Sequence, residues 1–449
     1  MAHAKIARKK CALEQIFEHE RAQIADVHVV VHRRTAGVER SNAGALWTEE
    51  LLLVCEGVPK SDGHMRHPSI SRRRRKVWYT LSRMGLFAKT NTNVLGVDIG
   101  ARGVKMVELI KSGTRPRLAT YGIGDVFDAA VHQRAGTAEE EARSVALYAQ
   151  RLRKVYDACG ARATIASASL PVSQVFSVVV RVAESDPESM RAAAQAQATK
   201  LLQYDPKDIV LDTRLMDERI ADMTAEGTPG KKSKSREVLV IATLKSIVER
   251  YSKIFYQANI ALESLETEAF GLIRSLVGTD PATTMIVDIG SKRTNFFMVE
   301  RGVPRTQRSI EIGGLTFTTV IQDMLSLSQE DAEQVKKDMS HSSSPETQRV
   351  MRELLERTVQ PIVKEMQYGF LLFSEQVQRE NAKPERIILT GGSCGVAQLS
   401  EMLEDHFSIK TSIGDPWARV LTPSALKPVL DSFGPRMSVA TGLALRLAL

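Results

Sequence analysis

Two stretches of this chain, 190 positions apart, end an apolar run with the same pair of chemistry-bearing residues. VLGVDIGARGVKMVEL spans 94 to 109 and IVDIGSKRTNFFMVE spans 286 to 300. Each places an aspartate two residues before a glycine, then a short turn, then a second apolar run. A polyphosphate carrying Mg²⁺ needs backbone N–H donors at close range and a carboxylate for the hydrated metal. A glycine at a tight turn lets the backbone come near the phosphates, and Mg²⁺ keeps much of its water and is held by one or two carboxylates. Asp98 with Gly100 and Asp288 with Gly290 are therefore candidates to grip one ligand from two sides, Asp98 and Asp288 holding Mg²⁺ through water.

Two further stretches have the composition to hold the rest of such a ligand. ILTGGSCG puts Gly391, Gly392 and Ser393 directly after an apolar strand, where a ribose or a flat ring can lie against the backbone. SQEDAEQVKKD sets Glu333 and Lys336 three apart, on one face of a helix, where a carboxylate and an ammonium can reach sugar hydroxyls and a base edge. Either stretch alone is common in α/β proteins; their order along the chain gives them weight.

The elements that must position these residues can be read from period and punctuation. NVLGVDI, VKMVELI and RLATYGIG read as strands, the first two joined by GARG. TAEEEARSVALYAQRLRKVYDACG reads as an amphipathic helix capped by Thr137 and closed by Gly160, and ATIASASL as a strand ending at Pro171. FSVVVRV, SDPESMRAAAQAQATKLLQ, DIVLDTRL and EVLVIATL give strand, helix, strand, strand. Ser185 and Glu188 are expected to box the helix start there, with Pro187 in its first turn. This is a small α+β domain over residues 171 to 243, inserted in a larger fold. Helix SIVERYSKIFYQAN leads to the second acidic hairpin. A long amphipathic helix follows through PETQRVMRELLERTVQPIVKEMQYGFLLFSEQ, then strand RIILTGG and a closing helix in MSVATGLALRLAL. The alternation gives an α/β class with two related lobes.

Composition narrows the function. The chain of 449 residues, 43% hydrophobic, can bury a large core, and no apolar run is long enough to span a bilayer. Cys11, Cys55, Cys159 and Cys394 show no ligand spacing and are expected as free thiols. Of the net charge of +8, +7 falls in residues 1 to 83, so the basic character belongs to an appendage ending in SRRRRKVWYTLSR. That extension is expected to be disordered or foreign to the natural protein, whose start would then be Met84.

In this order the motifs resemble the actin/Hsp70/sugar-kinase ATPase superfamily, and within it the PilM family of type IV pilus assembly proteins, relatives of FtsA. The resemblance covers residues 84 to 449 and rests on VLGVDIGARGVKMVEL, VDIGSKRTNFFMVERG, IEIGGLTFTTVI, EDAEQVKKD, ILTGGS, SIGDPWARV and ATGLALR. It implies a two-lobed actin-like fold with the inserted domain, and ATP with Mg²⁺ between the lobes. The first lobe would comprise 84–170, the return 244–280 and the C-terminal segment 421–449; the second lobe would comprise 281–420. By position, Asp98, Gly100 and Lys105 fall in the first phosphate hairpin, and Asp288, Gly290, Ser291, Thr294 and Asn295 in the second. Gly313, Gly314 and Thr316 fall in the next loop, while Glu333, Lys336, Gly391, Gly392 and Ser393 would hold the nucleoside. The family usually has hydroxyl residues after the first D-x-G; Ala101 and Arg102 stand there instead, so one phosphate hydrogen bond is lost and Arg102 either replaces it with a charge-assisted contact or points into solvent.

The resemblance also implies a partner. The cytoplasmic N-terminal peptide of a PilN-like inner-membrane protein would dock beside the inserted domain, placing the chain in the cytoplasm at the inner face of the membrane. The edge around Val175 to Val182 is the expected groove, with Val178 and Val180 as test positions. Glu268 falls where the superfamily orients a water, with Glu266 beside it, so at most slow ATP hydrolysis is expected. Two alternatives are weaker. A sugar kinase needs a catalytic Asp loop that is not found, and an FtsA-like division adaptor is expected to extend into an amphipathic anchor beyond ATGLALRLAL.

Overall fold

The computed structural model describes residues 93–125, 137–183, 186–202, 204–216, 236–341, 345–396 and 398–449. The expectations for residues 1 to 83 lie outside these.

β1 (Asn93–Gly100) and β2 (Gly103–Ile110) form an antiparallel hairpin in which Gly100 faces Gly103, leaving Ala101 and Arg102 as a two-residue turn. β3 (Arg117–Asp125) extends it on one side. α1 (Ala138–Ala158) then crosses over to β4 (Ile165–Leu170), parallel to β1. Thr137 caps α1 as its sequence requires: the hydroxyl accepts from Glu140 N and the Glu140 carboxylate reaches back to Thr137 N, both at 3.2 Å. Val145, Tyr148, Ala149 and Leu152 recur at helical spacing and are buried against the sheet.

The chain leaves this sheet through Pro171 and builds a three-stranded antiparallel sheet: β5 (Val175–Val182), α2 (Pro187–Leu201), β6 (Ile209–Leu215) and β7 (Arg236–Leu244), in the order β5-β7-β6. Asp186 caps α2, accepting from Ser189 N at 2.9 Å, and Pro187 takes the first helical position. Asp186 stands directly before the proline and so takes the role expected of Ser185, which lies outside the described residues. Val178, Val180 and Val182 pack with Val238 and Val240 against Met190, Ala194 and Ala198.

α3 (Lys245–Gln257) returns to β8 (Ala261–Thr267), which completes the sheet β3-β2-β1-β4-β8. α4 (Glu268–Leu272) runs into one wider turn at Ile273–Val277 and enters the second lobe. There β9 (Thr284–Ile289), β10 (Thr294–Glu300) and β11 (Val303–Ile310) form an antiparallel meander. α5 (Gly314–Leu325), α6 (Gln329–His341) and α7 (Pro345–Val377) follow. β12 (Arg386–Thr390) inserts parallel to β9. α8 (Leu399–Phe407) leads to β13 (Lys410–Ile413), giving β11-β10-β9-β12-β13. The two five-stranded sheets share one topology, so the repeated hairpin is the local sign of a repeated lobe.

The last helices are α9 (Lys427–Phe433) and α10 (Ser438–Ala448). α10 is apolar nearly all round and buried, as a helix between two sheets must be. Ala440, Ala444 and Leu445 pack with Val94 and Val107, while Val439 and Leu443 pack with Ile286, Phe297 and Ile388 of the second sheet. Leu272 and Ile273 share that second cluster, so an apolar hinge joins the lobes on one side and leaves a cleft on the other.

Candidate functional site

Register places the acidic pair. In the first hairpin Asp98 is the cross-strand partner of Lys105, and in the second Asp288 is the partner of Asn295. Cross-strand partners share a face of the sheet, so each aspartate meets a polar neighbour at the cleft. Lys105 Nζ lies 2.7 Å from Asp98 Oδ2, and Ser169 on β4 donates to Asp98 Oδ1 at 3.1 Å. Asp98 is buried, and Asp288 is half-buried.

Between the hairpins lies a cavity of about 870 Å³, within the about 300–1,000 Å³ range of small-molecule sites. Asp98, Gly100, Lys105 and Glu268 line its first-lobe wall. Asp288, Gly290, Ser291, Asn295, Thr316, Glu333, Lys336, Gly391, Gly392 and Ser393 line the opposite one. Three expected residues do not face it. Thr294 is fully buried and donates its hydroxyl to Ile312 O at 2.7 Å, tying β10 to the next loop. Gly313 and Gly314 stitch that loop to the second hairpin, with Gly314 N donating to Gly290 O at 2.9 Å. A side chain on Gly314 would strike Ser393 Oγ, so its smallness serves packing.

The GG turn is built by backbone constraint. Gly391 has φ +90°, and a Cβ there would stand 2.4 Å from Asp288 Oδ1. The turn is thereby held against the base of the second hairpin, and Ser393 N donates to Ile289 O at 3.0 Å. Glu333 is fixed on α6 from two sides. Its Oε2 accepts from Thr318 Oγ1 at 2.6 Å and from Lys336 Nζ at 2.7 Å, while Lys336 also donates to Gly314 O at 3.0 Å.

The charged groups in the cleft act on one another. Burial, then the Asp98 charge, pushes Asp288 up to about 6, against the pull of Lys105 and the Asn295 hydrogen bond. Burial, then Asp98 and Asp288, drives Glu268 well above the usual carboxylate range. Burial disfavours the charged Lys105, but the Asp98 charge and hydrogen bond outweigh it and raise its pKa. Glu268 Oε2 accepts from Val172 N and from Asn295 Nδ2, both at 3.2 Å, and so links β10 of one lobe to the segment before β5 in the other. A carboxyl held toward its protonated form is a poor proton acceptor. Glu266 is not in the cleft: Arg274 and Arg446 clasp it in the interior.

Sequence reasoning passed over Lys292, Arg293 and Arg436, and left Arg102 between a phosphate contact and solvent. Arg436, from the short turn before α10, lies against Gly392 and lines the cavity with Lys292 and Arg293. The sequence GPRMSVATG gives no sign of that. Arg102 does not lie idle at its turn: Nη1 sits 3.1 Å from Glu333 Oε1, across the cleft. Cys394 also lines the cavity, but burial and the Asp288 charge push its thiol up to about 12.

Two lobes of one topology, an apolar hinge and a cleft between matched acidic hairpins define an actin-like fold. A family model for type IV pilus assembly protein PilM matches residues 96–448. The chain belongs to the PilM family of type IV pilus assembly proteins. Among solved structures it is similar to a PilM-PilN type IV pilus biogenesis complex. That match has 21% identity and a TM-score of 0.63, and covers 79% of this chain and 98% of the other. Looser matches, each over 79% of this chain, are to the ethanolamine utilization protein EutJ from Carboxydothermus hydrogenoformans and to MreB5 of Spiroplasma citri bound to ADP. The first has 16% identity, TM-score 0.43 and 89% of the other chain. The second has 13%, 0.41 and 95%.

Proposed function

We propose that this PilM-family chain is a scaffold of type IV pilus assembly that binds ATP with Mg²⁺ in its cleft and recruits the cytoplasmic N-terminal tail of a PilN-like inner-membrane protein. The observation that carries the nucleotide reading is the meeting of the two acidic hairpins across one cavity that the GG turn also lines. The side chains suit the ligand. Arg102, Lys105, Lys292, Arg293 and Arg436 offer positive charge toward phosphates, and Asp98 with Asp288 would hold Mg²⁺ through its waters. Glu333, Lys336, Gly391, Gly392 and Ser393 would hold the nucleoside. Magnesium would supply charge neutralisation of the phosphates and, with ATP, bring the lobes together. Glu268, hydrogen-bonded across the lobes, acts chiefly as a pin, so turnover is slow at most.

Peptide capture by strand addition needs an open sheet edge. β5 is an edge of the inserted sheet, but it lies beside β11 of the second lobe, and Arg181 donates from it to Gln376 O. Val178 and Val180 face α2, so charges there would break the core instead of testing a groove. β6 is the other edge, with Val210 41% exposed, and is the better place for an added strand. The partner, not the chain itself, would bring the protein to the inner face of the cytoplasmic membrane; among the described residues no helix is long and apolar enough to cross one.

Thermal unfolding with and without Mg-ATP tests the cleft. A ligand at about 100 times its Kd adds about 2.7 kcal/mol. A shift in the parent that Asp288→Ala abolishes is the expected result, and no shift in the parent would overturn the nucleotide reading. Binding of a labelled PilN-like tail peptide, lost in Val210→Asp, tests the edge; unchanged affinity would exclude β6.

A further inference from the structure

We propose that Arg102 is a specificity-determining residue with two alternative partners: Glu333 across the cleft, and the phosphate of a bound nucleotide. This inference rests on the nucleotide reading above and deepens it. Arg102 stands in the two-residue turn of the first hairpin, beside Gly100 in the cavity wall. From there it reaches a carboxylate 231 residues away on the other lobe.

The two oxygens of Glu333 are used differently. Oε2 is held within its own lobe by Thr318 and Lys336, whereas Oε1 is the atom Arg102 takes. When Arg102 leaves, Glu333 keeps its position and its Lys336 counter-charge, and Oε1 becomes available to a ribose hydroxyl. Lys105 on the same hairpin has no such freedom, because it sits on Asp98 at 2.7 Å. The Arg102 side chain is 30% exposed, and part-exposed ion pairs are weak. A guanidinium has five donors in a planar fork that suits phosphate oxygens, and its charge-assisted bonds to them are strong. Exchange from Glu333 to phosphate is therefore downhill, and one movement both engages the phosphates and clears the sugar subsite. A nucleoside brings no phosphate to Arg102 and must still compete with it for Glu333 Oε1.

The consequence is a test with opposite signs. Calorimetric titration of the full chain with Mg-ATP and with adenosine, in the parent and in Arg102→Ala, should show ATP affinity falling at least about tenfold. Adenosine affinity should rise about threefold. Arg102→Lys, which keeps the charge but not the fork, should lie between for ATP. Equal losses for both ligands, or no change in either, would overturn the proposal. Absence of ATP binding by the parent would overturn both the phosphate half and the nucleotide reading itself. The latch half has its own readout without ligand. Spin labels at Lys111→Cys and Lys410→Cys, in a chain carrying Cys11→Ser and Cys55→Ser, report the separation of the lobes. Arg102→Ala should widen that distance distribution; an unchanged distribution would overturn the latch whatever the titrations give.

Discussion

Arg305→Ala should weaken the whole molecule by loosening the inserted domain from the second lobe. Arg305 lies on β11 and is 5% exposed. Its Nε donates to Glu300 on β10 at 3.1 Å, and its Nη1 pairs with Glu237 on β7 of the inserted sheet. Glu300 also pairs with Arg379, and Glu237 with Arg181 at 3.2 Å. Removing one partner of a buried ion pair costs about 3–5 kcal/mol, because it strands a charge in a poor dielectric. Here the Arg379 side chain, 43% exposed, still partly neutralises Glu300, which places the expected loss at the lower end, about 3 kcal/mol. In urea, with m near ~3 kcal/mol/M for a chain this long, the midpoint should fall by about 1 M. Glu300→Gln with Arg305→Met removes both charges and should recover much of the loss. Amide exchange should quicken in β7 and β11 and stay unchanged in β12. A midpoint loss below about 0.3 M, or exchange in β7 matching the parent, would refute the clasp.

Asp288→Asn should stabilise the nucleotide-free chain at pH 7.5. The folded state raises Asp288 from 3.8 to about 6, so it favours the protonated form, and stability is lost as pH rises through that interval. The cost is complete above about pH 7; removing it should gain ~1–2 kcal/mol, because the amide also gives up the attraction to Lys105, and about half of that gain should be gone by pH 5. A pH-independent effect in thermal melts would contradict the assignment. Gly391→Ala meets both a φ of +90° and the Asp288 carboxylate; it should cost at least about 1–3 kcal/mol in chemical denaturation and abolish the Mg-ATP shift. Cys159 and Cys394 are buried, with thiols pushed up to about 11 and 12. Neither should react with an alkylating reagent at pH 7.5 in the native chain, and mass spectrometry should find both labelled only in denaturant.

Where the determinant is local, the sequence by itself was enough. The two D-x-G hairpins, the GG turn after a strand, the Thr137 cap and the inward stripe of α1 all follow from spacing within about ten residues. Duplication of the hairpin announced duplication of the lobe, and the cross-strand pairing of Asp98 with Lys105 follows from the tight Gly100–Gly103 turn. Tertiary structure decided everything that depends on which distant surfaces meet. Thr294 differs from Asn295 by one position, yet the pleat sends the first into the interior and the second to the cleft. Glu266 and Glu268 are likewise two apart, and only the meeting of α4 with α10 and with β10 makes one a clasped interior anion and the other an interlobe pin. β5 looked like a docking edge because its residues are apolar, but β11 lies beside it, and among the described residues β6 is the other outer strand of that sheet. Arg102 and Glu333, 231 residues apart, have no signal in sequence at all. Their contact exists because two lobes hinge on one buried helix, and a long side chain at a hairpin tip then spans the gap.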